Sequence, residues 1–262
     1  MTQNLDNNTV KLIDGGILAT KGNVGLGDIR GFVASYTDAD TVSICAGYCE
    51  SNGKYYEKTS ATALDIASAG ADVVYIYIDD DSSDPAPTFI DDTTAPSWSA
   101  AKNGYYNGND RCIGSVYCSG ANTMQQFVVF PYPNEMAGRE VEIRIGVSIV
   151  LASDMNPSGL WVTPDDSDTD VIVGVMGSAA LVHMYLTDTA SLFSFAAVSV
   201  EVAAISAFAN PNYQGDMSLF GSEAGMTSGW VTLGSSSQIK IAGGDNDDNA
   251  LDANLFGWKI RR

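Results

Sequence analysis

Histidine is almost missing from this chain of 262 residues: there is one, His183. A Ser-His or Cys-His catalytic pair, or a zinc site built on imidazole, would have to use that single ring. It stands in the apolar run Ala180-Leu181-Val182-His183-Met184-Tyr185-Leu186, with no neighbouring Asp to orient it, and reads as a histidine set in or lining a sheet. Positive charge is also scarce. Thirteen Lys and Arg face 32 Asp and Glu, a net charge of −19. Such a surface repels a phosphate backbone, and only Arg261-Arg262 puts two cations side by side, so nucleic acid is excluded as a partner. Long hydrophobic runs are lacking too. The most apolar stretch, residues 192–208, is interrupted by Ser194, Ser199, Glu201 and Ser206. A bilayer span needs about 20 mostly apolar residues, so membrane insertion is not expected. The first residues, Met1-Thr2-Gln3-Asn4-Leu5-Asp6, have no basic flank or apolar core, which predicts synthesis and folding in a cytoplasm.

The usual catalytic signatures are missing as well. There is no P-loop, G-x-S-x-G elbow, H-E-x-x-H or G-x-G-x-x-G. Paired carboxylates for glycoside hydrolysis have no specific signal among so many acids, and no catalytic residue and no cofactor are assigned. Glu is rare beside Asp, 7 against 25, and Asp serves turns and caps where Glu serves helix interiors. Four cysteines stand at 45, 49, 112 and 118, in neither a zinc nor a redox spacing. On regular strands Cys45 and Cys49 would share one face, as would Cys112 and Cys118. A turn at Gly47 would let the first pair bond; otherwise all are free thiols.

What is present is alternation. Val141-Glu142-Ile143-Arg144-Ile145-Gly146-Val147-Ser148-Ile149 puts β-branched residues on one face and mostly polar ones on the other. Val42-Ser43-Ile44 repeats this in miniature, and residues 255–260 read as a closing strand. Denser runs at 73–78, 127–130 and 171–175 predict strands covered on both faces. Turn clusters fall at 37–40, 79–87, 103–110, 153–159, 164–170 and 243–249. Helical signal is confined to 60–69 and, ambiguously, 189–197. The pattern predicts an all-β fold, an antiparallel sandwich or jelly roll. Pro131-Tyr132-Pro133-Asn134 is the natural seam. The expected organisation is an N-terminal arm over 1–30, a first β-domain over 31–130 and a second over 131–262.

Among acidic runs, Asp166, Asp168 and Asp170 alternate as in a calcium loop. Val171 and Gly177 stand where an EF-hand needs Gly and Glu, so only an irregular calcium site is open there. Residues 245–249 fail the same test, and 79–84 read as a polar turn. Trp98, Tyr105, Tyr106, Trp161 and Trp230 fall at turns or strand edges, where rings stack on sugars or fill interfaces.

Thr94-Ala95-Pro96-Ser97-Trp98, then Gly104-Tyr105-Tyr106-Asn107-Gly108-Asn109-Asp110-Arg111-Cys112-Ile113-Gly114, then Phe127, resembles a segment common in tailed-bacteriophage virion proteins. Residues 74–78, the strand from Asp40 to Gly47 and the closing Gly257-Trp258-Lys259-Ile260-Arg261-Arg262 are similar to neighbouring parts of the same module. The resemblance covers about residues 31–130 and the last strand. It implies a non-enzymatic, usually trimeric virion component: a head fibre or capsid decoration, or a tail-fibre or receptor-binding piece. Its partners would be copies of itself, other capsid or tail proteins and, at an exposed tip, a host glycan. Without a repeated shaft a compact knob or capsid-surface trimer is the expected form. The alternatives are a carbohydrate-binding module or adhesin tip using the aromatics, and a polysaccharide depolymerase using an acidic pair.

Overall fold

A computed structural model describes residues 12–13, 16–17, 25–83, 85–131, 140–155, 161–162, 177–186, 193–199, 217–221, 225–232, 239–244 and 251–262. Among them the chain is all-β and contains no helix. It divides into two compact units, one of residues 1–124, 131–140 and 262, the other of 125–130 and 141–261.

In the first unit the strands are β1 (Leu12–Ile13), β2 (Gly16–Ile17), β3 (Ile29–Gly31), β4 (Ala34–Tyr36), β5 (Thr41–Ile44), β6 (Gly47–Ser51), β7 (Lys54–Lys58), β8 (Thr62–Asp65), β9 (Ala71–Ile78), β10 (Phe89–Asp92), β11 (Ser97–Ser99), β12 (Gly104–Asn107), β13 (Asp110–Gly120) and β14 (Thr123–Met124). The largest sheet runs β10-β9-β13-β12-β11, with β14 beside β13. Two three-stranded sheets, β3-β6-β7 and β4-β5-β8, accompany it, and β1 pairs β2. Neighbours in these sheets run antiparallel.

Residues 73–78 are buried on both faces of β9, which also has a paired strand on each side, β10 and β13, and this bears out the dense apolar run. β5 alternates half-buried and buried, Val42 and Ile44 pointing in, as its Val-Ser-Ile pattern requires. Thr62 to Asp65 is a strand paired with β5, not the helix that residues 60–69 suggest; sheet pairing overrides a weak local preference. Gly104 to Asn107, inside an expected turn cluster, is likewise a strand, its turn limited to Gly108 and Asn109. The end of the expected arm is already built in, for Ile29 is buried on β3 against Cys49 of β6.

In the second unit the strands are β15 (Phe127–Pro131), β16 (Glu140–Met155), β17 (Trp161–Val162), β18 (Gly177–Leu186), β19 (Phe193–Ser199), β20 (Met217–Gly221), β21 (Gly225–Thr232), β22 (Ile239–Gly244) and β23 (Leu251–Arg261). They form a five-stranded sheet, β15-β16-β23-β18-β21, and a four-stranded sheet, β17-β22-β19-β20. β16 realises the cleanest sequence pattern: Val141, Ile143 and Ile145 are buried and Arg144 is exposed. Glu142 breaks the alternation, buried with a carboxylate oxygen 2.5 Å from Arg144 Nε. β19 takes the second ambiguous helical segment as far as it is described.

The expectation for 127–130 is corrected. Along β15, Phe127 points in while Val128 and Phe130, on the other face, stay exposed, at 53% and 46%. An apolar run buries its second face only where another layer of the fold packs on it, and the run alone does not say whether one does. Residues 171–175, the calcium candidates Asp166, Asp168 and Asp170, the run 245–249 and most of the Pro131 seam lie outside the described residues.

Candidate functional site

Residues 97–120 fold into three consecutive strands, β11, β12 and β13. Trp98 of β11 faces Tyr105 of β12 in register, their rings edge to face at 5.1 Å. Trp98 is 44% exposed and Tyr105 half-buried. One residue on, Tyr106 points the other way and is buried, because side chains alternate along the strand. Lys102 Nζ stands 4.5 Å from its ring centre and the Arg111 guanidinium 5.5 Å from it. Lys102 is held there by Gly108 O at 3.2 Å and Asn109 Oδ1 at 2.9 Å.

Arg111 is the centre of this arrangement. It faces Tyr106 across β12–β13 and is completely buried. Nη2 donates to Gly27 O at 3.0 Å, and Nη1 donates to Tyr106 Oη at 3.3 Å and Glu50 O at 3.4 Å. Ser51 Oγ lies 3.4 Å from the same phenol. The Glu50 carboxylate is used elsewhere: Oε2 accepts from Gly27 N at 2.6 Å and Oε1 from Gly53 N at 2.7 Å. Acid and base here tie the turn before β3, strand β6 and β12–β13 together, largely through backbone groups. A buried guanidinium held by carbonyls orders several segments at once, since each acceptor left alone would cost about 1–3 kcal/mol.

A second guanidinium, Arg262, is 3% exposed in the same unit. Its Nη1 donates to Phe32 O at 2.9 Å, Gly31 O at 3.0 Å and Ile113 O at 3.5 Å. Burial lowers its pKa to about 10, which leaves it charged at neutral pH.

The remaining sequence candidates are spread out. Trp98, Tyr105 and Tyr106 belong to the first unit, and Trp161 and Trp230 to the second. Trp161 lies on β17 opposite Ala242, and Trp230, half-buried on β21, has Lys259 Nζ 4.7 Å from its ring centre. His183 is a half-buried strand residue on β18 whose ring packs against Phe256 at 4.2 Å, as its apolar surroundings indicated. The 79–84 run is a turn as far as it is described: Asp79 Oδ1 accepts from Asp81 N at 2.9 Å, and Asp110 Oδ1 from Asp80 N at 2.8 Å. Among the described residues no three His, Cys, Asp or Glu are grouped to hold a metal ion.

No protein-family model matches the chain, and no curated protein matches it. Two solved structures show slight likeness. The crystal structure of an infectious bursal disease virus VP2 subviral particle is 10% identical, with a TM-score of 0.22 over 91% of this chain and 73% of that one. The structure of the infectious bursal disease virus Gx strain is 9% identical, with a TM-score of 0.16 over 91% and 68%. Likenesses this slight carry no weight for fold or function.

All four cysteines are free thiols. Cys112 and Cys118 lie on opposite faces of β13, not on one face as regular spacing requires. A bulge at Ile113 inserts one extra residue, so Cys112 faces Tyr77 and Cys118 faces Asp72, an odd number of steps apart. Both are buried because both faces of β13 are covered, whereas Cys45 is exposed. Burial pushes the Cys49 thiol up to about 12 and raises those of Cys112 and Cys118. Brief alkylation of the native protein at neutral pH should therefore modify Cys45 alone, as read by peptide mass spectrometry; prompt labelling of Cys49 would show that its strand pair opens.

Arg111 and Arg262 were not legible as a pair. Each carries a weak signal, a rare cation at the end of an apolar strand in a very acidic chain, but no spacing links residues 151 positions apart.

Proposed function

We propose that this chain is a non-enzymatic structural protein of a bacteriophage virion, a trimer that acts through its contacts with copies of itself and with capsid or tail proteins. A capsid decoration, a head fibre and a compact tail-fibre or receptor-binding piece all fit that description. The observation that carries this reading is the use made of the virion-like segment. Tyr106, Arg111 and Cys112 are buried in the frame of a sheet, and Glu50, whose carbonyl accepts from Arg111, spends its carboxylate on two backbone amides. A segment used in this way specifies a durable β-module. The net charge of −19 would keep such a protein soluble before assembly and away from a packaged genome.

Self-association draws support from β15. Val128 and Phe130 present an apolar stripe on the first strand of a sheet, partly covered where the Arg144 guanidinium lies 5.3 Å from the Phe130 ring centre. Natural proteins seldom leave such a strand uncovered, because it invites pairing. Light scattering on purified protein at micromolar concentration is expected to give three copies per particle, and Phe130→Asp to shift the population towards monomer. A wild-type monomer under those conditions overturns the reading.

A glycan-contacting module is the second reading, favoured by the exposed Trp98 beside Tyr105 on β11–β12. Glycan-array binding lost in Trp98→Ala would promote it over a purely architectural role.

A further inference from the structure

Gly31 and Phe32 both hold left-handed backbone, with φ of +66° and +50°. For a bulky residue such as Phe32 this is a strained conformation, kept only where the surroundings demand it. It marks a corner: β3 on one side belongs to the sheet with β6 and β7, and β4 on the other to the sheet with β5 and β8. The Phe32 ring is fully buried and meets Phe89 edge to face at 5.3 Å. Left-handed residues turn their carbonyls away from the regular ladder, and these carbonyls still need donors. The bulge at Ile113 interrupts the ladder of β13 in the same manner.

Arg262 Nη1 reaches all three of these carbonyls with its two protons, donating to Phe32 O at 2.9 Å and Gly31 O at 3.0 Å and sharing one of them, at 3.5 Å, with Ile113 O. Its electrostatic neighbours are Cys45, Arg111, Cys49 and Cys112. Cys49 is paired with Ile29 and Tyr56 on the sheet that enters the corner, and Cys112 directly precedes the bulge. We propose that Arg262 is a latch: by joining the left-handed corner at Gly31-Phe32 to the bulge at Ile113, it holds three sheets of the first unit together and keeps the Cys49 and Cys112 thiols sealed. Its release opens a local door onto those two thiols while residues 72–75 of β9 and the paired residues 115–118 of β13 stay folded. This is a positioning role, independent of what the assembled protein binds.

The experiment uses the full chain with Arg262→Ala and Arg262→Lys, reading each thiol by time-resolved labelling and mass spectrometry, together with backbone hydrogen exchange. In wild type only Cys45 reacts promptly. In Arg262→Ala, Cys49 and Cys112 should react about tenfold faster or more, the size expected when charge-assisted hydrogen bonds are lost from a locally opening segment. Amides of residues 29–33 and 112–114, with their ladder partners Ile76 and Tyr77, should exchange faster with them, while Cys118 and residues 72–75, which pair with residues 115–118, keep wild-type rates. Arg262→Lys, whose ammonium reaches fewer carbonyls, should lie between the two. Unchanged Cys49 and Cys112 rates overturn the latch. So does equal acceleration at Cys118 and across residues 72–75, which would make Arg262 a general contributor to stability. If Arg262→Ala does not fold, Arg262→Lys decides by the same comparison, and wild-type thiol rates in that variant sink the proposal.

Discussion

Gly31→Ala is expected to destabilise the first unit by about 3–4 kcal/mol, and Gly53→Ala by only about 1 kcal/mol. Both glycines hold left-handed φ, +66° and +75°. An L-residue in that region costs about 1–2 kcal/mol in either place. The difference is space. A Cβ on Gly31 would fall 2.1 Å from Ala46 O and 2.7 Å from Gly47 Cα, both backbone atoms of the paired chain, whereas one on Gly53 meets nothing within 4 Å. Moving backbone in a paired sheet adds roughly 1–3 kcal/mol of overpacking to the conformational cost. Gly31 is also the residue from which the chain turns into Phe32 and whose carbonyl takes a bond from Arg262, so strain there reaches the latch. Hydrogen exchange of first-unit amides across a urea series measures both variants without assuming that the two units unfold together. Equal losses in the two variants would mean that the corner is not closely packed.

The second large effect concerns Gly104. Its Cβ would lie 2.6 Å from Arg111 Cζ and 2.7 Å and 2.9 Å from the two terminal nitrogens. An exposed arginine would swing aside, but this one is fully buried and held by Gly27 O, Glu50 O and Tyr106 Oη. Gly104→Ala should therefore cost about 2–3 kcal/mol, through displacement of the guanidinium. The same substitution in an Arg111→Met background should cost under about 1 kcal/mol, since a thioether gives way, leaving a coupling of about 1–2 kcal/mol in the double-mutant cycle. Additive losses would show that Gly104 is needed for its own sake and not for Arg111.

These two sites show where reading from sequence stops. Gly31, Gly104, Arg111 and Arg262 are visible as letters, and Gly104 and Arg111 stand in one short run, Gly104 to Gly114. Nothing local says that a glycine at 104 makes room for an arginine at 111, or that an arginine at 262 bonds residue 32. The same limit explains the cysteines. Counting by twos places Cys112 and Cys118 on one face, and a single inserted residue at Ile113 reverses the answer. It also explains β15, since whether Val128 and Phe130 are covered depends on whether another layer packs on their face of the sheet.

The class of fold was decided by the sequence itself. Alternation at Val141, Ile143 and Ile145 demands a sheet, because a period of two buries those side chains together, and the short β-branched and aromatic run at 73–78 and the supply of Asp for turns agree with it. Sheet order, bulges and left-handed corners were decided by tertiary structure alone. They depend on which carbonyls are left over when distant strands meet, and the donors that satisfy them, Arg111 and Arg262, arrive from far along the chain.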